Sequence, residues 1–259
     1  MKKLITLSAI AFTTLFMASG CSQNEPKMEA KKEVAHPSHW SYEGKEGPAN
    51  WGNLDKTYHM CAEGKEQTPI DIIPNKESQQ PLELSYTQGS HDIINNGHTV
   101  QVNMENGDTF TIDGVPYTLK QFHFHTPSEN HVNGNGFPME AHFVHASADG
   151  KLAVIAVMFT EGAENPTLSK IIHSFPLEIN KAKELLFDKE YLKMMMPEHK
   201  DNYHFMGSLT TPPCSEKVQW FVLKEPIFAS KVQIEAIHQE IGQENNRPIQ
   251  PTNDREITE

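Results

Sequence analysis

Between residues 98 and 160 the sequence leaves little room for anything but a β-sheet. "HTVQVNM" alternates apolar and polar side chains, and "DTFTIDGVPYTLKQFHFH" holds two alternating runs about a Gly-containing turn. "MEAHFVHAS" alternates again, and "LAVIAVMF" is a continuous apolar run. A period of two sets one face of a strand on a core, whereas the unbroken run fits a strand buried on both faces. The clusters "NNG", "ENGD" and "NGNG" stand where hairpins would close. Helical signals are short. "NPTLSKIIHSF" puts Pro166 near a helix start with Leu168, Ile171, Ile172 and Phe175 at helical spacing, and "SKVQIEAIHQEI" offers Ser230 as an N-cap. A β-dominated domain with small peripheral helices is expected.

The segments before that domain read differently. Residues 1–20, "MKKLITLSAIAFTTLFMASG", have two lysines, an apolar stretch too short for a comfortable membrane span, and then small residues, the layout of a secretory signal. "ASGC" resembles a bacterial lipobox, which would make Cys21 a lipidated N-terminus, with ordinary cleavage as the alternative. Residues 21–38 are polar, charged and aperiodic, and read as a disordered tether. From residue 39 to 259 no comparable linker or repeat interrupts the chain, so one domain is expected. The protein would be exported, periplasmic or at the cell surface, touching a membrane only through the anchor at Cys21. The formal charge is −12 with 14 histidines counted neutral, and no basic cluster lies outside the signal and tether, which excludes nucleic acid as a natural partner. Nothing in the chain excludes a homodimer. Of three cysteines, Cys61 and Cys214 remain as a pair if Cys21 carries lipid, with two free thiols as the alternative.

The chemistry concentrates in "QFHFHTPSE". Strand parity puts His123 and His125 on one face and Phe122 and Phe124 on the other. On the following run Glu140, His142 and Val144 share one face, and Ala141, Phe143 and His145 the other, so parity does not choose between His142 and His145 as a third imidazole. Three neutral imidazoles with an open fourth position are the catalytic form of a zinc site, whereas a solvated polar face is the bland reading.

"QFHFH", "MEAHFVH", "GSLTTPPC", "NNGH", "EQTPIDI", "VQWFVLKEP" and "NNRPIQP" occur in the order and spacing of the α-class carbonic anhydrases, and the chain resembles an exported bacterial member from about residue 39 to 251. The resemblance implies a single α+β domain built on a large twisted, mostly antiparallel central β-sheet. It implies Zn2+ held by His123, His125 and His142, with His145 facing away. Gln121 and Glu140 would steady the ligands. The implied reaction is the reversible hydration of carbon dioxide to bicarbonate and a proton. Thr210 would take the gatekeeper position, with Glu129 accepting its hydroxyl proton, and Thr211 would line the bicarbonate site. Val144, Val154, Leu209 and Trp220 would form the apolar carbon dioxide wall. His98 would shuttle protons and Tyr42 would stand near the cavity water. Cys61 and Cys214 match the disulfide of secreted members, which would brace "SLTTPPC".

Asn130 departs from the His that many family members carry after the glutamate; it is expected to hold Glu129 or its loop by hydrogen bonds. Two other classes of function fit the sequence less well. A catalytically silent binding or adhesion protein would have lost zinc ligands, which are all present here. A surface zinc-binding lipoprotein would carry His-rich tracts, whereas these histidines are scattered.

Overall fold

The computed structural model describes residues 39–77, 82–105 and 107–259. The expected signal, the tether and Cys21 lie outside the described residues. In chain order the elements are α1 (Trp51–Leu54), α2 (Met60–Glu63), β1 (Asp71–Ile72), β2 (Ser90–Asn95), β3 (Val100–Met104), β4 (Thr109–Ile112) and β5 (Val115–His125). They continue with β6 (His131–Val132), β7 (Met139–Ser147), β8 (Leu152–Glu161), α3 (Pro166–Ile172), β9 (Lys183–Glu184) and α4 (Lys189–Lys193). The last are β10 (Asn202–Ser208), β11 (Glu216–Leu223), β12 (Ile227–Ala229) and α5 (Lys231–Ile241). No helix among the described residues is long and apolar enough to cross a membrane.

Ten strands form one sheet in the order β10-β11-β8-β7-β5-β3-β2-β9, with β12 also on β8 and β4 also on β5. Only β11 and β12 run parallel to β8; the other pairings in this sheet are antiparallel, as the sequence led one to expect. The apolar run at 152–159 is β8, buried along almost its whole length between β7 and the two parallel strands. The β4–β5 hairpin turns at Asp113 and Gly114, both with positive φ (49° and 78°), as a two-residue hairpin compatible with strand twist requires. Ser230 caps α5 in a reciprocal box with Gln233, and Asn165 caps α3 ahead of Pro166.

One irregularity sets the functional face. The β5–β7 register shifts between Leu119 and Gln121, a bulge at Lys120. Before the bulge Tyr117 and Leu119 point into the larger apolar core with Phe122 and Phe124; after it the odd positions Gln121, His123 and His125 point to the opposite side. Directly paired residues share a face, so the side chains of that side fall in rows across the sheet. One row runs Gln121, Val144, Val154, Trp220. The next runs Gln101, His123, His142, Ala156, and the third His125, Glu140, Met158. The apolar members of these rows belong to the smaller core cluster, which includes Val154, Ala156, Met158 and Trp220.

His145 falls opposite Leu119 and is fully buried in the larger core. Its Nδ1–H donates to the Phe143 carbonyl at 2.8 Å, which leaves Nε2 to accept from the Tyr86 hydroxyl at 3.2 Å. Burial pushes its pKa down to about 3, against the partly opposing hydrogen bonds to backbone. The unfolded chain therefore binds this proton more readily in the window from about 6.5 down to 3, and stability falls as pH falls through it. In His145→Gln, urea titrations across pH 6.5 to 4 should show stability falling by about 1.4 kcal/mol per pH unit less than in the parent. Parallel curves would show that His145 is not held neutral.

Candidate metal centre

The sheet rows bring three imidazoles together. The rings of His125 and His142 lie 4.5 Å apart by centroid, His123 and His125 5.1 Å, and His123 and His142 5.4 Å. One nitrogen from each can be chosen so that all lie within 4.8 Å of one another. A hydrogen-bond partner occupies the remaining nitrogen of His123 and of His125, and a carboxylate lies close to that of His142. His123 Nδ1 is 2.8 Å from Gln121 Oε1, and His125 Nδ1 is 2.7 Å from the Asn245 carbonyl, so both rings carry hydrogen on Nδ1 and turn Nε2 to the centre. His142 is the reverse: its Nε2 lies 2.9 Å from Glu140 Oε1, close but off the ring N–H axis. His142 Nδ1 and His125 Nε2 flank a common oxygen, Glu129 Oε2, at 3.9 and 3.5 Å.

Burial is the largest cause lowering the pKa of all three rings; neighbouring imidazoles add to it at His123 and His142, whereas at His125 the Asn245 carbonyl opposes it. The donors are therefore neutral imidazoles. His125 Nε2 is a buried atom without a hydrogen-bond partner. Neutral nitrogens converging on one point, with tautomers fixed from behind, suit a divalent cation of borderline softness.

Glu129 is buried beside this centre, and burial pushes its carboxyl up to about 8 against the Arg247 backbone and the Thr210 side chain, which pull it down. Its Oε1 accepts from the Arg247 amide at 2.9 Å. Thr210 acts on the carboxyl as a side-chain donor, although Oε2 has no partner of strict hydrogen-bond geometry. Glu140 takes the Glu129 amide on Oε2 at 2.7 Å and the Asn130 amide at 2.9 Å, with Asn130 Nδ2 on Oε1 at 2.8 Å. Of the two expectations for Asn130, the structure bears out the loop and not the Glu129 side chain: Asn130 reaches Glu140 and, through Oδ1, the Ile70 amide at 3.1 Å. The reason is geometric, since both backbone amides of the turn aim at Glu140.

The imidazoles form the floor of a cleft of about 700 Å3, its open mouth included. Val144, Val154, Leu209 and Trp220 line one wall, and Thr210 and Thr211 stand beside them. Tyr42, Gln121 and His98 also line the cleft, so every expected wall and mouth residue is present. His98 follows a turn in which Asn95 and Asn96 side chains accept the amides of Gly97, His98 and Thr99. Its ring stacks on Trp40 at 3.7 Å and 8°, Nδ1 has no partner, and burial followed by nearby His39 lowers its pKa.

The family profile described as "Eukaryotic-type carbonic anhydrase" matches residues 46–259. The chain belongs to the α-carbonic anhydrase family. A carbonic anhydrase of Pectobacterium carotovorum is 46% identical over 220 residues, which is 85% of this chain and 90% of that one. A carbonic anhydrase of Neisseria gonorrhoeae is 44% identical over 225 residues, 86% of this chain and 88% of that one. Among solved structures, the α-carbonic anhydrase of Thermovibrio ammonificans with the inhibitor sulfanilamide superposes with a TM-score of 0.81 at 44% identity, covering 86% of this chain and 99% of that one. The chain is thus an enzyme of reversible carbon dioxide hydration.

Two contributors escaped the sequence reading. Asn245 supplies the carbonyl behind His125, and Arg247 supplies the amide on Glu129. The buried Arg247 guanidinium donates to Gln67 Oε1, the Thr68 carbonyl and the Cys61 carbonyl and lies over Trp51. Cys61 is bonded to Cys214, with an S–S distance of 2.07 Å, and Gln67 Nε2 donates to the Cys214 carbonyl. Arg247 therefore joins the disulfide to Glu129. Its only signal in the sequence is "NNRPIQP", which carries no chemistry alone. Arg247→Ala should lose about 3 kcal/mol in denaturant unfolding, because three buried acceptors lose a charged donor. Its kcat/KM should fall with it; an unchanged midpoint would remove Arg247 from this role.

Proposed function

We propose that His123 and His125 through Nε2, and His142 through Nδ1, hold one zinc ion for the hydration of carbon dioxide. The convergence of three imidazoles, two of them with tautomers fixed by hydrogen bonds from behind, carries this reading. Bound zinc would lower the pKa of water from about 15.7 to about 7 and so supply hydroxide at neutral pH. Gln121, the Asn245 carbonyl and Glu140 each keep a ring in the tautomer that donates inward. Glu129, fixed by the Arg247 amide, receives the Thr210 hydroxyl proton. The Thr210 oxygen can then only accept, which orients the attacking oxygen. Val144, Val154, Leu209 and Trp220 hold the apolar substrate without hydrogen bonds, and Thr211 faces the product bicarbonate. His98, at the mouth, carries the proton out to buffer. Tyr42 borders the water between.

The Cys61–Cys214 bond suits an oxidising compartment. We place the catalytic domain at residues 39–259, outside the cytoplasm, behind a signal at residues 1–20. A tether at 21–38, lipidated at Cys21, would hold it at a periplasmic or cell-surface membrane.

Metal analysis of the purified protein should give one zinc per chain, and His142→Ala should lose both zinc and carbon dioxide hydration in stopped flow. Full activity in that variant would overturn the ligand assignment. His98→Ala should keep its zinc yet turn over roughly tenfold to a hundredfold more slowly in weak buffer, with added imidazole restoring the rate. Equal rates without buffer would remove His98 from the proton path.

A further inference from the structure

We infer that Asn130 is a positioning residue for the metal centre, setting the Glu140 carboxylate that backs His142. The inference rests on the zinc reading above and goes beyond it, since Asn130 touches neither the imidazoles' centre nor the cleft. Asn130 and Glu140 are both fully buried, where an unfilled polar atom costs most. The orientation of the Asn130 amide follows from its partners. Oδ1 is claimed by the Ile70 amide at 3.1 Å, so the other end must be Nδ2, and it donates to Glu140 Oε1 at 2.8 Å. That same Oε1 approaches His142 Nε2 at 2.9 Å. The second oxygen, Oε2, is taken by two backbone amides, those of Glu129 and Asn130. The carboxylate is thus fixed at both oxygens, but the backbone amides alone grip only Oε2 and leave Oε1 free to swing about it. Among the described residues, Nδ2 of Asn130 is the one side-chain group that hydrogen-bonds Oε1, with the His142 ring close but off axis. It decides where Oε1 points and so how His142 turns Nδ1 inward.

The amide is matched to this position because it must accept from Ile70 and donate to Glu140 at once. An aspartate of the same shape keeps the acceptor and replaces the donor with a second carboxylate oxygen. Asn130→Asp therefore separates the two jobs. Loss of an outer partner of a metal ligand typically weakens affinity tenfold to a hundredfold, and Asn130→Asp should raise the zinc Kd, measured by chelator competition, about tenfold. The visible spectrum of the cobalt-substituted protein should change shape, because it reports ligand geometry rather than turnover.

The competition is run where the zinc-free variant is folded, as shown by its thermal unfolding curve, so a loss of global stability alone leaves the zinc Kd unchanged. Unchanged zinc Kd and cobalt spectrum in folded Asn130→Asp would overturn the inference and reduce Asn130 to a tie between loop and β1. If Asn130→Asp does not fold, Asn130→Ser, too short to reach Glu140 and uncharged, takes its place with the same expectations. Parent protein that binds no zinc would instead sink the zinc reading itself.

Discussion

The site depends on one pairing: His123 lies directly opposite His142 on neighbouring antiparallel strands. That register puts two imidazoles side by side, brings His125 beside Glu140, and lines up Val144 and Val154 in the adjacent row. A slip by one residue would send His145 to the cleft and His142 into the larger core. The bulge at Lys120 guards against this from the other end, because it lets Tyr117 and Leu119 stay apolar-side while the histidines turn away. Stability and function are therefore written on opposite faces of the same two strands.

The same division explains how the imidazoles remain donors in a buried place. Burial strips them of charge, and each ring then needs only one acceptor behind it to settle which nitrogen is free. Those acceptors are of three kinds: a side-chain amide two residues away, a backbone carbonyl from the C-terminal segment, and a carboxylate two residues away on the same strand. The first and third are local and the second is tertiary.

That difference marks what was legible in the sequence. Alternation gave the strands β3, β4, β5 and β7, the unbroken run gave β8, and parity gave the shared face of His123 and His125. Parity could not choose His142 over His145, because the choice lies in the register, and only the family resemblance pointed to it beforehand. Asn245 and Arg247 were beyond any local reading, since their contacts span 118 to 186 residues. Asn130, expected to hold Glu129 or its loop, holds the loop through Ile70 and Glu140 and not the Glu129 side chain, a matter of which way an amide faces. The short strands β1, β6 and β9 and the helix α4 carry too few residues for a periodic signal.

The reach of Arg247 has a consequence for synthesis. Its guanidinium closes onto residues near the start of the domain, and its amide closes onto Glu129 in the middle. A chain emerging N-terminus first can pair β5 with β7 and assemble the three imidazoles long before residue 247 appears. It cannot yet fix Glu129, nor give His125 its Asn245 carbonyl. The order of emergence therefore separates a stage in which the imidazoles meet from one in which Glu129 is fixed, and the segment 245–259 is the key that turns the first into the second.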